Sequence, residues 1–161
     1  MNRIRIAEPA DDDLIALLLI RSFSHLYASM GVDMSPIREA YLKDQKGRRA
    51  FATSFICEVD GLPVGTVTLV PPSSRSVAWI SGAWELRLLA VDPERRGLGN
   101  ARKLIGFAEQ HAQAAGAAAV CLHARRGVPN QARLYIACDY VRAPAGDLDT
   151  EPFQEGYWKR L

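Results

Sequence analysis

The chain has 161 residues, 48% apolar and 24% charged, with 20 Lys and Arg against 18 Asp and Glu for a formal net charge of +2. That length suits one domain, residues 1–161, with a proper core. So small a net charge gives no electrostatic case for nucleic acid or a membrane as partner. Cys57, Cys121 and Cys138 lie in apolar contexts without Cys-x-x-Cys or histidine-rich ligand spacing. This argues against a disulfide framework or a metal site, and for reduced thiols in a cytoplasmic protein. Met1 to Ile4 begins no export signal, and the longest apolar run, Leu14 to Ile20, is far too short to span a bilayer.

Arg3 to Ala7 reads as a first strand, ended by Pro9. Asp11, Asp12 and Asp13 then supply caps and favourable charge for a heavily apolar helix from Leu14 to about Tyr27, closed by Gly31. Ser35-Pro36 opens a second helix that runs into Lys46-Gly47-Arg48-Arg49, a charge run expected to be a solvated face. Ser54–Val59 and Leu62–Val70 are β-rich runs joined by Asp60-Gly61, a strong hairpin signal. Pro71 to Ser76 is a polar, mobile-looking loop, and Trp79-Ile80 offers a strand start before Ser81-Gly82 interrupts it.

Glu85 to Val91 is the central strand, apolar enough at its end to be covered on both faces. Asp92-Pro93-Glu94-Arg95 turns the chain, and Arg96-Gly97-Leu98-Gly99-Asn100-Ala101 opens directly into a helix to about Ala115. Leu104, Ile105, Ala108 and Ala112 share one stripe of that helix and should pack on the sheet. A glycine-rich bend at a helix mouth is an anion site in the making. The first N–H groups have no partners within the helix, they lie at the positive end of its dipole, and glycines let a ligand approach the backbone. Arg96 adds a cation suited to phosphate oxygens. A dinucleotide fingerprint would need glycine at position 102, which is Arg102, and a Walker loop would need Gly-Lys-Ser/Thr. Beyond the helix, Ala117–Leu122 reads as a buried strand and Pro129–Cys138 as a short helix. Tyr140–Arg142 and Tyr157–Leu161 complete the strands, giving the order β-α-α-β-β-β-α-β-α-β-β.

The string Leu-Ala-Val-Asp-Pro followed by Arg-x-x-Gly-x-Ala resembles the coenzyme A motif of the GNAT superfamily, the acyl-CoA-dependent N-acetyltransferases, and the resemblance extends over essentially the whole chain. It implies an α/β (α+β) fold: a mixed, mostly antiparallel central sheet flanked by helices, with a V-shaped split between strands 4 and 5. It also implies acetyl-CoA as acyl donor and a small-molecule or peptide amine as acceptor. In that reading Arg96, Gly97, Leu98, Gly99, Asn100 and Ala101 wrap the pyrophosphate. Leu89, Ala90 and Val91 pair with the pantetheine arm and supply an oxyanion contact, and Asn130 joins the cofactor-binding set. Glu85 stands where several family members carry a glutamate base, and it is equally readable as a strand-end carboxylate paired with Arg87. Tyr135, in Ala132-Arg133-Leu134-Tyr135, matches the family's general acid. A tyrosine packed for its ring is the plainer alternative.

The chain departs from the family pattern at Val128, where an asparagine is common, and at Asp139-Tyr140 in place of Gly-aromatic. Asp139 can adopt the left-handed conformation that a glycine would supply. Against the enzyme stand a non-catalytic acyl-CoA-binding or sensor module on the same fold and, more weakly, a toxin acting on aminoacyl-tRNA. The final strand, ending near Trp158, offers an edge for pairing across a homodimer. His25, His111 and His123 are scattered, without metal-ligand spacing.

Overall fold

Asp60 and Gly61 both have positive φ, 51° and 77°, the conformation of a two-residue turn whose twist matches its flanking strands. The computed structural model describes all 161 residues, and this turn joins β2 (Thr53–Val59) to β3 (Leu62–Val70). Before them come β1 (Asn2–Ile6), α1 (Asp12–Ser29), α2 (Pro36–Lys43) and α3 (Gln45–Arg49). After them come β4 (Trp84–Val91), α4 (Asn100–Ala114), β5 (Ala119–Arg125), α5 (Pro129–Ala137), β6 (Val141–Arg142) and β7 (Gln154–Arg160). The strands form one sheet in the order β1-β2-β3-β4-β5-β7-β6. Pairs β1/β2, β5/β7 and β6/β7 are antiparallel. β4 and β5 run parallel, with Trp84 opposite Val120 and Glu85 opposite Cys121. This is the parallel pair that a split between strands 4 and 5 requires. No helix is long and apolar enough to cross a membrane.

The chain divides into two compact units, Met1–Thr68 with Leu88–Leu104, and Leu69–Arg87 with Ile105–Leu161. In the first, Ile15 and Leu19 of α1, Leu42 of α2, Ile56 of β2, and Leu88 and Ala90 of β4 form a buried cluster, with Phe23, Met34 and Tyr41 packed against it. Each such aliphatic side chain contributes roughly 1.5–3 kcal/mol when fully buried. In the second, Ala83, Ala119 and Cys121 are covered by Ala78, Trp79, Ile80 and Trp158. The α4 stripe is as expected: Leu104, Ile105, Ala108 and Ala112 are all buried.

Four departures have physical causes. The second helix breaks at Asp44 (ψ 59°), whose carboxylate caps α3 by accepting the Gly47 N–H at 2.9 Å. The charge run in α3 is a solvated face only in part: Lys46 and Gly47 are exposed, but Arg48 turns inward. Arg48 is only 2% exposed, its guanidinium bonding the Tyr41 and Leu42 carbonyls at the end of α2 and the Gln45 side chain. Trp79-Ile80 forms no strand, because Trp79 lies against His123 and fills the space that a side chain at Gly146 would need. The loop reaching Ser76 is pinned where it meets β4: Val77 N–H and the Arg75 carbonyl both bond β4 side chains.

Candidate active site

β4 ends in a braced corner. The Asp92 N–H donates to the Val64 carbonyl at 2.8 Å, the Asp92 carboxylate caps the short turn Pro93–Arg95 through Glu94 N–H, and Arg21 pairs with it at 3.0 Å. The chain then runs exposed through Arg96–Gly99, with Gly97 at φ 77° and Gly99 at φ 79°. Nothing lies within 4 Å of where a Cβ would stand at either glycine. Among the backbone bonds of this segment, Lys103 N–H to the Gly99 carbonyl closes the first α4 turn at 3.1 Å. The amides of Asn100 and Ala101 therefore precede the helical ladder, at the positive end of the helix. Two left-handed glycines with open space beside them and a helix's positive end suit a diphosphate, so the residues present fit that group.

Two residues of the predicted wrap do something different with their side chains. Asn100 is buried, donating to the Arg95 carbonyl at 3.2 Å and accepting from Asn2 at 3.3 Å, with the Cys57 thiol 4.0 Å from the same oxygen. The Arg96 guanidinium reaches back rather than out. Its Nε donates to the Val91 carbonyl at 3.2 Å, Nη2 to Ser22 Oγ at 3.0 Å, and Nη1 lies 3.3 Å from His25 Nδ1. Arg96 thus ties the loop to β4 and α1. Ser22 and His25 are parts of the loop's support that the local sequence could not reveal, since they lie more than 70 positions away.

Within β4, Leu88 has φ 55°, a left-handed conformation that costs a non-glycine residue about 1–2 kcal/mol. The alternation of the strand is broken there, just before the Leu89–Val91 backbone. Leu88 and Ala90 pack inward on Ile15 and Leu19, which holds the strained residue in place.

Glu85 is buried and firmly engaged. Arg87 donates to it from Nε at 2.9 Å and Nη2 at 2.6 Å, and the Val77 N–H donates at 2.9 Å. It is a buried ion pair rather than a solvated strand-end carboxylate. Three of its roughly four acceptor directions are filled. His123, two residues beyond Cys121 and so on the same face of β5, lies in the same unit. Its Nε2 is 2.9 Å from the Gly146 carbonyl, and its ring meets Trp79 edge-on at 5.2 Å. Because a carbonyl can only accept, Nε2 carries the hydrogen and Nδ1 keeps its lone pair. Burial lowers the pKa of His123, outweighing the opposite pull of the Gly146 carbonyl, Glu85 and Asp147, so the ring is neutral near pH 7.

Tyr135 is buried on α5 with its ring between those of Tyr140 and Tyr157, at 6.2 and 6.4 Å. Burial pushes its pKa up to about 12. The turn after α5 is made by Asp139 at φ 68°, the left-handed role expected of it. Asn130 is exposed, its only side-chain bond a long one, 3.5 Å, from Arg133 of its own helix. The side chain joining α5 to β5 is Gln131, which accepts the Arg125 N–H at 2.8 Å. No group of three or more His, Cys, Asp or Glu is placed to hold a metal ion.

The family model described as acetyltransferase (GNAT) family matches residues 19–140. Similar solved structures include the PaiA N-acetyltransferase of Thermoplasma acidophilum in complex with coenzyme A (16% identity, TM-score 0.79, 100% of this chain and 99% of that one). A GNAT-family acetyltransferase from Staphylococcus aureus Mu50 aligns with TM-score 0.77 at 12% identity over 100% and 99% of the chains. YncA of Salmonella typhimurium, solved with its cofactor acetyl-CoA, aligns with TM-score 0.68 at 19% identity over 99% and 94%. No curated protein sequence matches the chain.

Proposed function

The chain belongs to the GNAT acetyltransferase family, and on that premise we propose that it moves an acetyl group from acetyl-CoA to a primary amine of a small molecule or peptide, by direct attack in a ternary complex. The observation carrying this reading is the start of α4, where two left-handed glycines with nothing within 4 Å of a Cβ position lead into the first helical turn. The amides of that turn hold the diphosphate, and Arg96 keeps the loop in shape from behind. The strained backbone at Leu88 turns the following amides of β4 toward the acyl oxygen, where a preorganised donor is most effective. Neither buried thiol, Cys57 or Cys121, is suited to form an acyl-enzyme, because burial raises the pKa of both, to about 11 for Cys121.

An alkylamine of pKa near 10.4 is neutral in about one molecule in 10³ at pH 7, so a proton acceptor is needed. Glu85 is that acceptor through its one open direction, or through a water held there. His123 is the alternative, favoured by its free Nδ1 lone pair. Tyr135 stands at the other end of the reaction. A phenol near 12 lies about 3.5 units above a thiol of pKa about 8.5, so full proton transfer is uphill. Its contribution is a hydrogen bond to the sulfur as negative charge develops.

A thiol-release assay over polyamines, amino acids, aminoglycosides and peptides, with acetyl-CoA saturating, tests the enzyme against the sensor module. Tight acetyl-CoA binding with no turnover of any amine would establish the sensor. With a turned-over amine in hand, Tyr135→Phe should lower kcat about 10–100-fold and Glu85→Gln about 100-fold or more, both with acetyl-CoA affinity little changed. A full-rate Glu85→Gln beside a crippled His123→Gln would move the base to His123.

A further inference from the structure

α2 presents a cation that the protein itself leaves unanswered. Arg38 lies in its first turn, anchored by its backbone N–H to the Ser35 Oγ at 3.1 Å. Its guanidinium carbon lies 5.1 Å from the ring centre of Phe23 on α1 and 5.4 Å from that of Tyr41 on α2. Nε is fully buried and has no hydrogen-bond partner, and no carboxylate pairs with the group. The neighbouring cations are used differently. Arg48, 5.2 Å from the Tyr41 ring, bonds two backbone carbonyls and Gln45, and Arg49 grips Asp12 through two bonds. Glu39, the acid adjacent in sequence, is taken by Lys43. A half-buried guanidinium with an orphaned donor is an expensive feature to keep for packing alone. Its planar fork is matched to carboxylate geometry, and flanking aromatic rings fix its plane while excluding water.

The position of this cation is informative. Phe23 and Tyr41 pack on the cluster that contains Leu88 and Ala90 of β4. Ser22 and His25, in the same turn of α1 as Phe23, hold Arg96 at the loop. The unanswered cation is therefore built onto the elements that support the β4 backbone and the diphosphate loop, all within one compact unit.

We propose that Arg38, clamped between Phe23 and Tyr41, is the anchor for a carboxylate on the acceptor, so that the substrate class is an amine bearing a carboxylate, such as an amino acid or a peptide C-terminus. This rests on the acetyl-transfer reading above. Arg38 binds and orients the acceptor and exchanges no proton with it. The amine end is left free to attack, while an amine lacking the carboxylate leaves the half-buried guanidinium without a carboxylate partner.

The experiment compares the proteinogenic amino acids, their methyl esters and the corresponding decarboxylated amines as acceptors for the full chain at saturating acetyl-CoA. Parallel runs use Arg38→Met, which keeps length and packing, and Arg38→Lys, which keeps charge without the fork. For the best acceptors, kcat/KM for the free acid should exceed that for its ester by about 10–100-fold. Arg38→Met should erase that ratio by lowering the acid's value and sparing the ester's, mostly through KM. Arg38→Lys should restore part of it. A direct readout accompanies the kinetics. The Arg Nε–H resonance that disappears in Arg38→Met should shift when wild-type protein is titrated with N-acetyl amino acids, and stay still with their methyl esters. Equal use of acids and esters, an acid preference surviving in Arg38→Met, or an unmoved Nε resonance with every acid would each overturn the proposal. Acetyl-CoA failing to bind in calorimetry would instead remove the acetyl-transfer reading. Acetyl-CoA binding with equally efficient turnover of amines lacking a carboxylate would remove the carboxylate anchor alone.

Discussion

Gly99→Val should bind coenzyme A at least about 10²-fold more weakly than the wild type in titration calorimetry, with the fold intact by circular dichroism. Gly99 sits at φ 79°, where a β-branched residue is strongly disfavoured, although no neighbouring atom stands in the way of its Cβ. The substitution therefore distorts the backbone instead of causing a clash. That distortion falls on the residue whose carbonyl accepts the first helical bond of α4, from Lys103. Rotating this peptide misdirects the amides at the mouth. Each amide–phosphate hydrogen bond contributes about 1.5–3 kcal/mol because the acceptor is charged, so losing two costs at least two decades of affinity. Arg96→Ala, which frees the loop from Ser22 and His25 but leaves its amides in place, should weaken binding less. Coenzyme A affinity unchanged in Gly99→Val would remove the helix mouth from the binding site.

The second large effect falls on stability. Arg48→Met should lower the melting temperature by roughly 10 °C. The guanidinium is 2% exposed and is the hydrogen-bond partner of the Tyr41 and Leu42 carbonyls and of Gln45. The carbonyls ending a helix have no partners within it, so Arg48 acts as the C-terminal cap of α2 from inside the protein. Methionine fills much of the volume but removes the donor to the Leu42 carbonyl and the Gln45 Oε1 and weakens the support of the Tyr41 carbonyl, a loss of about 3–5 kcal/mol. For a chain of this size each kcal/mol moves the midpoint by roughly 2–4 °C. Arg49→Met, which breaks a half-exposed pair with Asp12, should move it far less. Equal shifts from the two variants would contradict the capping account.

The contrast between Arg48 and Arg49 illustrates what the sequence could and could not convey. Features set by a few adjacent residues were readable: the Asp60-Gly61 turn, the buried stripe of α4, the left-handed Asp139, and the glycines at the helix mouth. Each depends on local backbone preference or on a helix's own period. What was hidden depends on helix breaks and tertiary contacts that no local preference encodes. Nothing near Arg48 announces that Asp44 will break the helix and fold the guanidinium under the preceding turn. Arg96 reads as a phosphate ligand, and the bonds its guanidinium makes with Ser22 and His25, more than 70 residues upstream, are not legible from its neighbours. Trp79 has strand-like chemistry, yet the vacancy at Gly146 and the edge of His123 decide where it goes.

The thiol beneath Asn100 has a practical consequence. Cys57 is fully buried with its sulfur 4.0 Å from the Asn100 Oδ1, so lifting of the first turn of α4 should open it to an alkylating reagent. Its labelling rate with iodoacetamide is thus a clock for that opening, one that coenzyme A should slow by holding the turn down. Cys121, buried in the other compact unit under Ala78–Ile80, should keep its own pace and serves as the reference. Ligand that slows both thiols alike would be tightening the whole molecule, and not the turn above Cys57 alone.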